Sequence, residues 1–496
     1  MSTRFLWIIW FVGTILVASA ALARLYVGGD RTAFMPGETT GVHHQIEMSC
    51  ETCHTSAPFA SQKKIRKDIN KTCNECHKDE LKASDDSHSI KKFKNPRMAA
   101  YWEKIDARFC TSCHLEHQPE VTLAGLVTLP GDFCVACHSE GEQDVRVNRE
   151  SHAGLGYETC ATAGCHNYHD NRALYEDYLV KHANQPWLKD GAAHPGQAMA
   201  RARTRPNPAE VELYLASVVA PEVGRDDGIE GHWAGSAHAS ADVGCASCHA
   251  PKSETFEEIQ ANWVESPDQS VCASCHRAQN KTFELGRHGM RSHPEIAKPR
   301  SAKKMLKRMG MKDPPEALLA AVETYLVDPA PAPLMSTSEA RVALHPDAHG
   351  QDLTCNTCHT PHQVDITYAA VESCLSCHSD DHSTSFKDSP HFGLYEAELA
   401  GDLPPGAGVT CATCHMPKTE SRGVITTSHN QNETLRPNEK MIRPTCLECH
   451  SLEFSIDALA DPGLVANNFS GQPTRHIESI DWAVRRVDQP NQGANQ

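Results

Sequence analysis

All 22 cysteines of this 496-residue chain stand in pairs, and a histidine follows each pair directly. No thiol is left over. Ten of the pairs have the form C-x-x-C-H: Cys50/Cys53/His54, Cys73/Cys76/His77, Cys110/Cys113/His114, Cys134/Cys137/His138, Cys245/Cys248/His249, Cys272/Cys275/His276, Cys355/Cys358/His359, Cys374/Cys377/His378, Cys411/Cys414/His415 and Cys446/Cys449/His450. The eleventh, Cys160 and Cys165 with His166, has four residues between its thiols. Such a chain is no disulfide scaffold, because disulfide-dense chains are short and carry no matching excess of histidine, whereas this one has 30.

The spacing has a chemical reason. Two thiols must reach the two vinyl groups of one porphyrin while the next residue turns an imidazole nitrogen to its iron, so C-x-x-C-H reads as c-type haem attachment. Zinc knuckles also pair C-x-x-C motifs, but they do not require histidine directly after every second cysteine. The wider unit at Cys160 is a weaker signal alone and is included because it falls within an otherwise complete series. The expected cofactor is therefore haem c, eleven groups covalently attached, with the histidine that closes each unit as proximal ligand.

Haem also accounts for a composition that is lean for conventional cores: hydrophobic residues 40%, aromatics 6%, mean hydropathy −0.48. With about 45 residues per unit, porphyrin must fill much of what other chains of this length fill with Leu and Phe. Folding and haem attachment are expected to be one event. The fold class is mainly α with much irregular structure, two-lobed and packed around stacked haems, with no strand pattern. A net charge of −16 gives no basic field for nucleic acid.

Nineteen histidines remain, enough for a second one on every iron. His117, His169 and His362 each lie three residues after a proximal histidine, on the same helical turn. They cannot cross to the far face of their own porphyrin and should reach a neighbouring haem. The distal set is drawn from His44, His88, His117, His152, His169, His238, His288, His349, His362, His391 and His429, with His43, His182, His232, His293 and His345 as further candidates; each can instead be a surface or supporting histidine. An iron with two imidazoles sits at low potential, passes electrons and binds no substrate.

Five units lie before residue 167 and six after residue 244. Residues 31–185 read as a pentahaem domain, 186–230 as a Pro- and Gly-bearing linker with a short helical piece at 209–219, and 231–496 as a hexahaem domain. Within the last, a haem-free helical insertion at about 295–340 has a basic segment and then apolar helical spacing through Leu318, Leu319, Val322 and Leu326. Residues 1–30 are a signal peptide or a membrane anchor. Small residues at Ala18, Ala20, Ala21 and Ala23 suit cleavage, while the uncharged apolar stretch 5–23 has the length to span a bilayer. Either exports the chain, to the periplasm if anchored. A locally basic stretch between Lys63 and Arg108 can meet an acidic redox partner or anionic headgroups, or offset haem propionates.

The second lobe resembles the hydroxylamine oxidoreductases and multihaem nitrite reductases over roughly residues 231–480. The resemblance rests on Gly408-Val-Thr-Cys-Ala-Thr-Cys-His-Met-Pro417, on Ser428-His429-Asn430, and on Asp381-His382 followed by Ser389-Pro390-His391. It implies that His429 is a distal ligand and that the last two units are a bis-histidine pair. It also implies that the haem of Cys272, Cys275 and His276 takes the catalytic place, with Asp381 and His382 as catalytic residues of its pocket; an ordinary distal ligand beside an acid is the other reading of that dipeptide. The chain departs from the family in keeping His276 where the reductases commonly carry lysine, and in having no Tyr after Tyr395 for the oxidoreductase cross-link. The first lobe is more similar to small class III or membrane-anchored quinol-linked cytochromes.

These readings favour an undecahaem c-type cytochrome passing electrons between a membrane or protein donor and an acceptor. Its partners would be a redox protein or a quinol-linked membrane partner, with membrane contact through the N-terminus and no nucleic acid. The alternative is an oxidoreductase acting on a small inorganic substrate (nitrite, hydroxylamine or sulfite) at one open haem. A third class, polymerisation into a conducting filament, would need a distal histidine donated by the next chain.

Overall fold

A computed structural model describes residues 3–26, 35–118, 127–138, 149–189, 227–297, 303, 306, 311–327, 342–348 and 353–488, apart from positions 48, 58, 85, 87, 153–154, 158–165, 171–173, 312, 364–365, 422–423 and 436. The expected helical piece at 209–219 and most of the basic segment at 298–312 lie outside these residues. The architecture is mainly α, built of short helices joined by irregular chain.

The first helix, Thr3–Tyr26, has a 19-residue stretch, Thr3–Ala21, with mean hydropathy 1.8 and none of it buried. It is long and apolar enough to cross a membrane; a signal sequence would look the same. The helix Gln62–Ala83 starts where the Ser61 hydroxyl accepts a hydrogen bond from the Lys64 N–H, 3.3 Å away. It runs for 22 residues yet buries only Thr72, although Cys73, Cys76 and His77 lie along it. A helix this long with almost no apolar face needs something other than side chains to pack on. In the haem-free insertion, the apolar spacing forms the helix Glu316–Val327.

Strand structure, absent from the sequence pattern, occurs once among the described residues. Lys418–Ser421 pairs antiparallel with Val424–Thr427, in the register Lys418↔Thr427 to Ser421↔Val424. The β-branched run Val424-Ile425-Thr426-Thr427 favours the extended state, but four residues are too few to show alternation in sequence.

The largest apolar core joins Leu174 and Leu179 to Ile442, Leu447, Leu452, Ile456, Ile480 and Ala483. The helix Glu176–His182 thus packs with Leu452–Leu459 and Ser479–Asp488 of the C-terminal half. Polar ties join the halves elsewhere: Lys281 Nζ is 3.0 Å from Asp79 and Lys440 Nζ 3.4 Å from Glu80, while the Gln45 side-chain amide donates to the Arg287 carbonyl.

Candidate functional site

Most described units are a single short helical turn, while Cys73, Cys76 and His77 lie within the long helix Gln62–Ala83 and Cys272 and Cys275 within Gln269–Cys275. The backbone N–H of the closing histidine donates to the carbonyl of the first cysteine: His54 to Cys50 at 2.8 Å, His114 to Cys110 at 2.9 Å, His138 to Cys134 at 3.0 Å, His276 to Cys272 at 2.9 Å and His450 to Cys446 at 2.8 Å. One α-turn sets the two cysteines three residues apart on one face with the imidazole at the turn's end. Two turns are pinned by reciprocal caps, Thr354 with Thr357 and Thr410 with Thr413, ahead of Cys355 and Cys411. Cys160 and Cys165 lie outside the described residues; His166 lies within them.

The attachment cysteines are covered by protein only in part, which leaves their sulfurs accessible to a covalently attached group. Cys53 and Cys275 are exposed, Cys137 is only partly buried, and no described cysteine is in a disulfide. The reason is the length of the elements. Cys53 ends the helix Cys50–Cys53 and Cys137 lies in Val135–His138, and a four-residue helix has no face long enough to bury; neither buries any residue. Both turns are held by backbone contacts instead. The Cys53 carbonyl accepts from the Thr72 hydroxyl at 3.2 Å, and the Cys137 N–H donates to the Cys134 carbonyl at 3.1 Å. Covering these sulfurs falls to the porphyrin rather than to side chains.

Each proximal imidazole faces one other histidine. The ring centroids are 6.4 Å apart for His54 and His117, 6.0 Å for His77 and His43, 6.2 Å for His114 and His169, 6.1 Å for His138 and His88, and 6.1 Å for His166 and His152. In the second half they are 6.1 Å for His249 and His362, 6.0 Å for His276 and His238, 6.3 Å for His359 and His429, 6.1 Å for His378 and His288, 6.2 Å for His415 and His382, and 6.2 Å for His450 and His391. A ligating nitrogen lies ~1.1 Å from its ring centroid and a metal–imidazole bond is ~2.0–2.1 Å, so two imidazoles on opposite sides of one metal have centroids about 6.2 Å apart. Rings in direct stacking contact lie closer, as Trp263 and His249 do at 4.6 Å. The separation leaves room for one metal ion between each pair, and the paired cysteines supply the donors for a thioether-linked porphyrin.

His117, His169 and His362 each face the proximal histidine of a unit other than the one they follow. Opposite His77 stands His43; its neighbour His44 is buried, with its Nδ1 3.0 Å from Glu47. Two consecutive histidines look equivalent in sequence, and only the local 3₁₀ turn decides which ring points to His77. His382, expected beside Asp381 in a catalytic pocket at His276, faces His415, and its Nδ1–H donates to the Val465 carbonyl at 2.6 Å. The ring opposite His276 is His238. His349 lies outside the described residues. His182 stacks on Tyr178, His345 donates its backbone N–H to the Cys377 carbonyl, and His232 and His293 sit at Asp227–Ala234 and beside Pro294–Ala297.

At four of the rings burial favours the neutral form. Burial, and then neighbouring imidazoles, lowers His288, His359, His391 and His415 to about 4. A neutral imidazole is the ligating form. Burial alone would raise Glu116, but hydrogen bonds from His43 and Thr40 bring it to about 2. Glu80 likewise falls to about 2 against its burial, through His77 and Lys440.

Two family models match the chain: cytochrome c3 over residues 42–139 and cytochrome c552 over residues 385–460. Neither a curated protein nor a solved structure matches it. The first match spans four of the cysteine–histidine units and the second the last two, including the 408–417 segment on which the reductase resemblance rests. With haem-attachment turns in both matched stretches and a histidine facing every proximal ring, the chain is a multihaem c-type cytochrome, similar to cytochrome c3 over residues 42–139 and to cytochrome c552 over residues 385–460.

Proposed function

We propose that the protein carries eleven covalent haems, each held between two histidines, and works as an electron relay outside the cytoplasm. It would exchange electrons with a redox protein or a quinol-linked membrane partner. The observation that carries this reading is that all eleven proximal imidazoles face a second histidine at 6.0–6.4 Å. Haem supplies one-electron exchange at iron; the chain's part is to fill both axial positions, exclude small ligands and keep successive units in contact. The alternative, turnover of nitrite, hydroxylamine or sulfite, needs an open iron. Its expected place at His276 is opposed by His238 on the other side. The apolar Thr3–Ala21 helix fits export, with retention as an anchor to the periplasmic face of the inner membrane as the reading we favour.

Low-temperature EPR of the purified protein, with and without those three compounds, tests the relay reading, and mass spectrometry counts the haems. The expected spectrum is low-spin ferric throughout and indifferent to added ligand. A high-spin signal from one iron in eleven that shifts with nitrite would move the assignment to an enzyme.

A further inference from the structure

The eleven histidine pairs differ in what their Nδ1 atoms touch. At most described pairs with a hydrogen-bonded Nδ1, the partner is a backbone carbonyl: His117 to Gly37 at 2.7 Å, His249 to Val264 at 2.7 Å, His450 to Trp187 at 3.1 Å. The pair formed by His43 and His77 is different. His43 Nδ1 is 2.6 Å from Glu116 Oε1, and His77 Nδ1 is 3.1 Å from Glu80 Oε2. Asp86 approaches His169 only to 3.6 Å, outside hydrogen-bond range. Among the described residues no other pair has a carboxylate within 3.1 Å of both its rings.

Both carboxylates are held in place. Glu116 accepts from the Thr40 N–H at 2.9 Å and the Thr40 hydroxyl at 3.0 Å. Glu80 turns its other oxygen to Lys440 Nζ at 3.4 Å, which itself donates to the Asn432 carbonyl at 3.0 Å. A carboxylate on the far nitrogen of a metal-bound imidazole raises the basicity of the ligating nitrogen and favours the higher oxidation state of the metal. The opposite setting occurs at His359 and His415, whose buried Nδ1 atoms have no hydrogen-bond partner.

We propose that Glu116 and Glu80 act as tuning residues that make the iron of the Cys73/Cys76 unit the lowest-potential centre in the molecule. This rests on the relay reading, in which His43 and His77 share one iron. The place suits such a role. Asp79 and Glu80 hold the same unit against Lys281 and Lys440, and Gln45, two residues from His43, binds Arg287, the neighbour of His288. The most reducing centre therefore stands where the two halves meet, and an electron placed there can leave downhill in either direction. Lys440 pulls against Glu80, so its removal should deepen the effect.

The test is a redox titration of the intact holoprotein, followed by EPR and visible spectroscopy, for wild type and Glu116→Gln, Glu80→Gln and Lys440→Met. Each Gln variant should move the lowest-potential component about tenfold toward the ferrous form, ~59 mV for one electron. The remaining components should stay in place. Lys440→Met should move that same component the opposite way, and Glu116→Asp, which keeps the carboxylate, should recover most of the Glu116→Gln shift. An unmoved lowest component in a fully low-spin protein overturns the tuning assignment, as does an equal shift of many components. Loss of the relay reading itself would show differently, as a high-spin iron already present in wild type.

Discussion

At the scale of the residue, what each histidine does depends on direction more than identity. The closing histidines were legible because covalent chemistry fixes their place in C-x-x-C-H. The facing histidines were legible as a pool but not as pairs, since every partner comes from another turn of chain: His88 reaches His138, His238 reaches His276 and His391 reaches His450. The choice of His43 over His44 had no sequence signal, and His382 sits beside an acid whether it ligates or catalyses. If His238 closes the iron of His276, His238→Ala should open that site alone. We expect one new high-spin ferric signal and binding of nitrite or cyanide at about one haem per chain, followed by EPR and optical titration.

At the scale of the element, most of the units are one-turn helices too short to stand alone, and some are held by caps. Thr410 and Thr413 are both buried and bond reciprocally ahead of Cys411. Thr410→Ala should cost about 1 kcal/mol, up to ~2 where the cap is buried, read as a lowered midpoint in denaturant with haem content unchanged. The hairpin Lys418–Ser421/Val424–Thr427 escaped sequence reading, yet it positions His429: the Thr427 carbonyl accepts from His429 Nδ1 at 3.1 Å, and the Thr282 hydroxyl accepts from the His429 N–H at 3.0 Å. The Glu316–Val327 helix was readable from Leu318, Leu319 and Val322 because a regular apolar spacing is itself the signal. Short strands and one-turn helices carry no such period, which is why mainly irregular was as far as the pattern reached.

At the scale of the whole molecule, the gap between the fifth and sixth units suggested a boundary near residue 185, but the apolar core runs across it. Leu174 and Leu179 lie among Ile442, Leu452 and Ile480, and Ile442 is fully buried there. Beyond the helix, the Lys189 N–H donates to the Cys449 carbonyl at 2.8 Å, and the Trp187 carbonyl accepts from His450 Nδ1 at 3.1 Å. The segment 174–189 thus packs against the C-terminal half, a contact that haem counting cannot see because the segment carries no cysteine. Two consequences can be separated. Ile442→Ala in the full chain should lose about 2–5 kcal/mol, the range for emptying a packed core site. A fragment starting at residue 231 should expose that core and the His450 face, and so aggregate or load fewer than six haems. A fragment starting at residue 167 keeps Leu174, Leu179 and Trp187 and should be soluble and fully loaded. Size-exclusion chromatography with haem-to-protein ratios distinguishes the two. Equal behaviour of both fragments would mean that the 174–189 segment only rests on a half that is already complete.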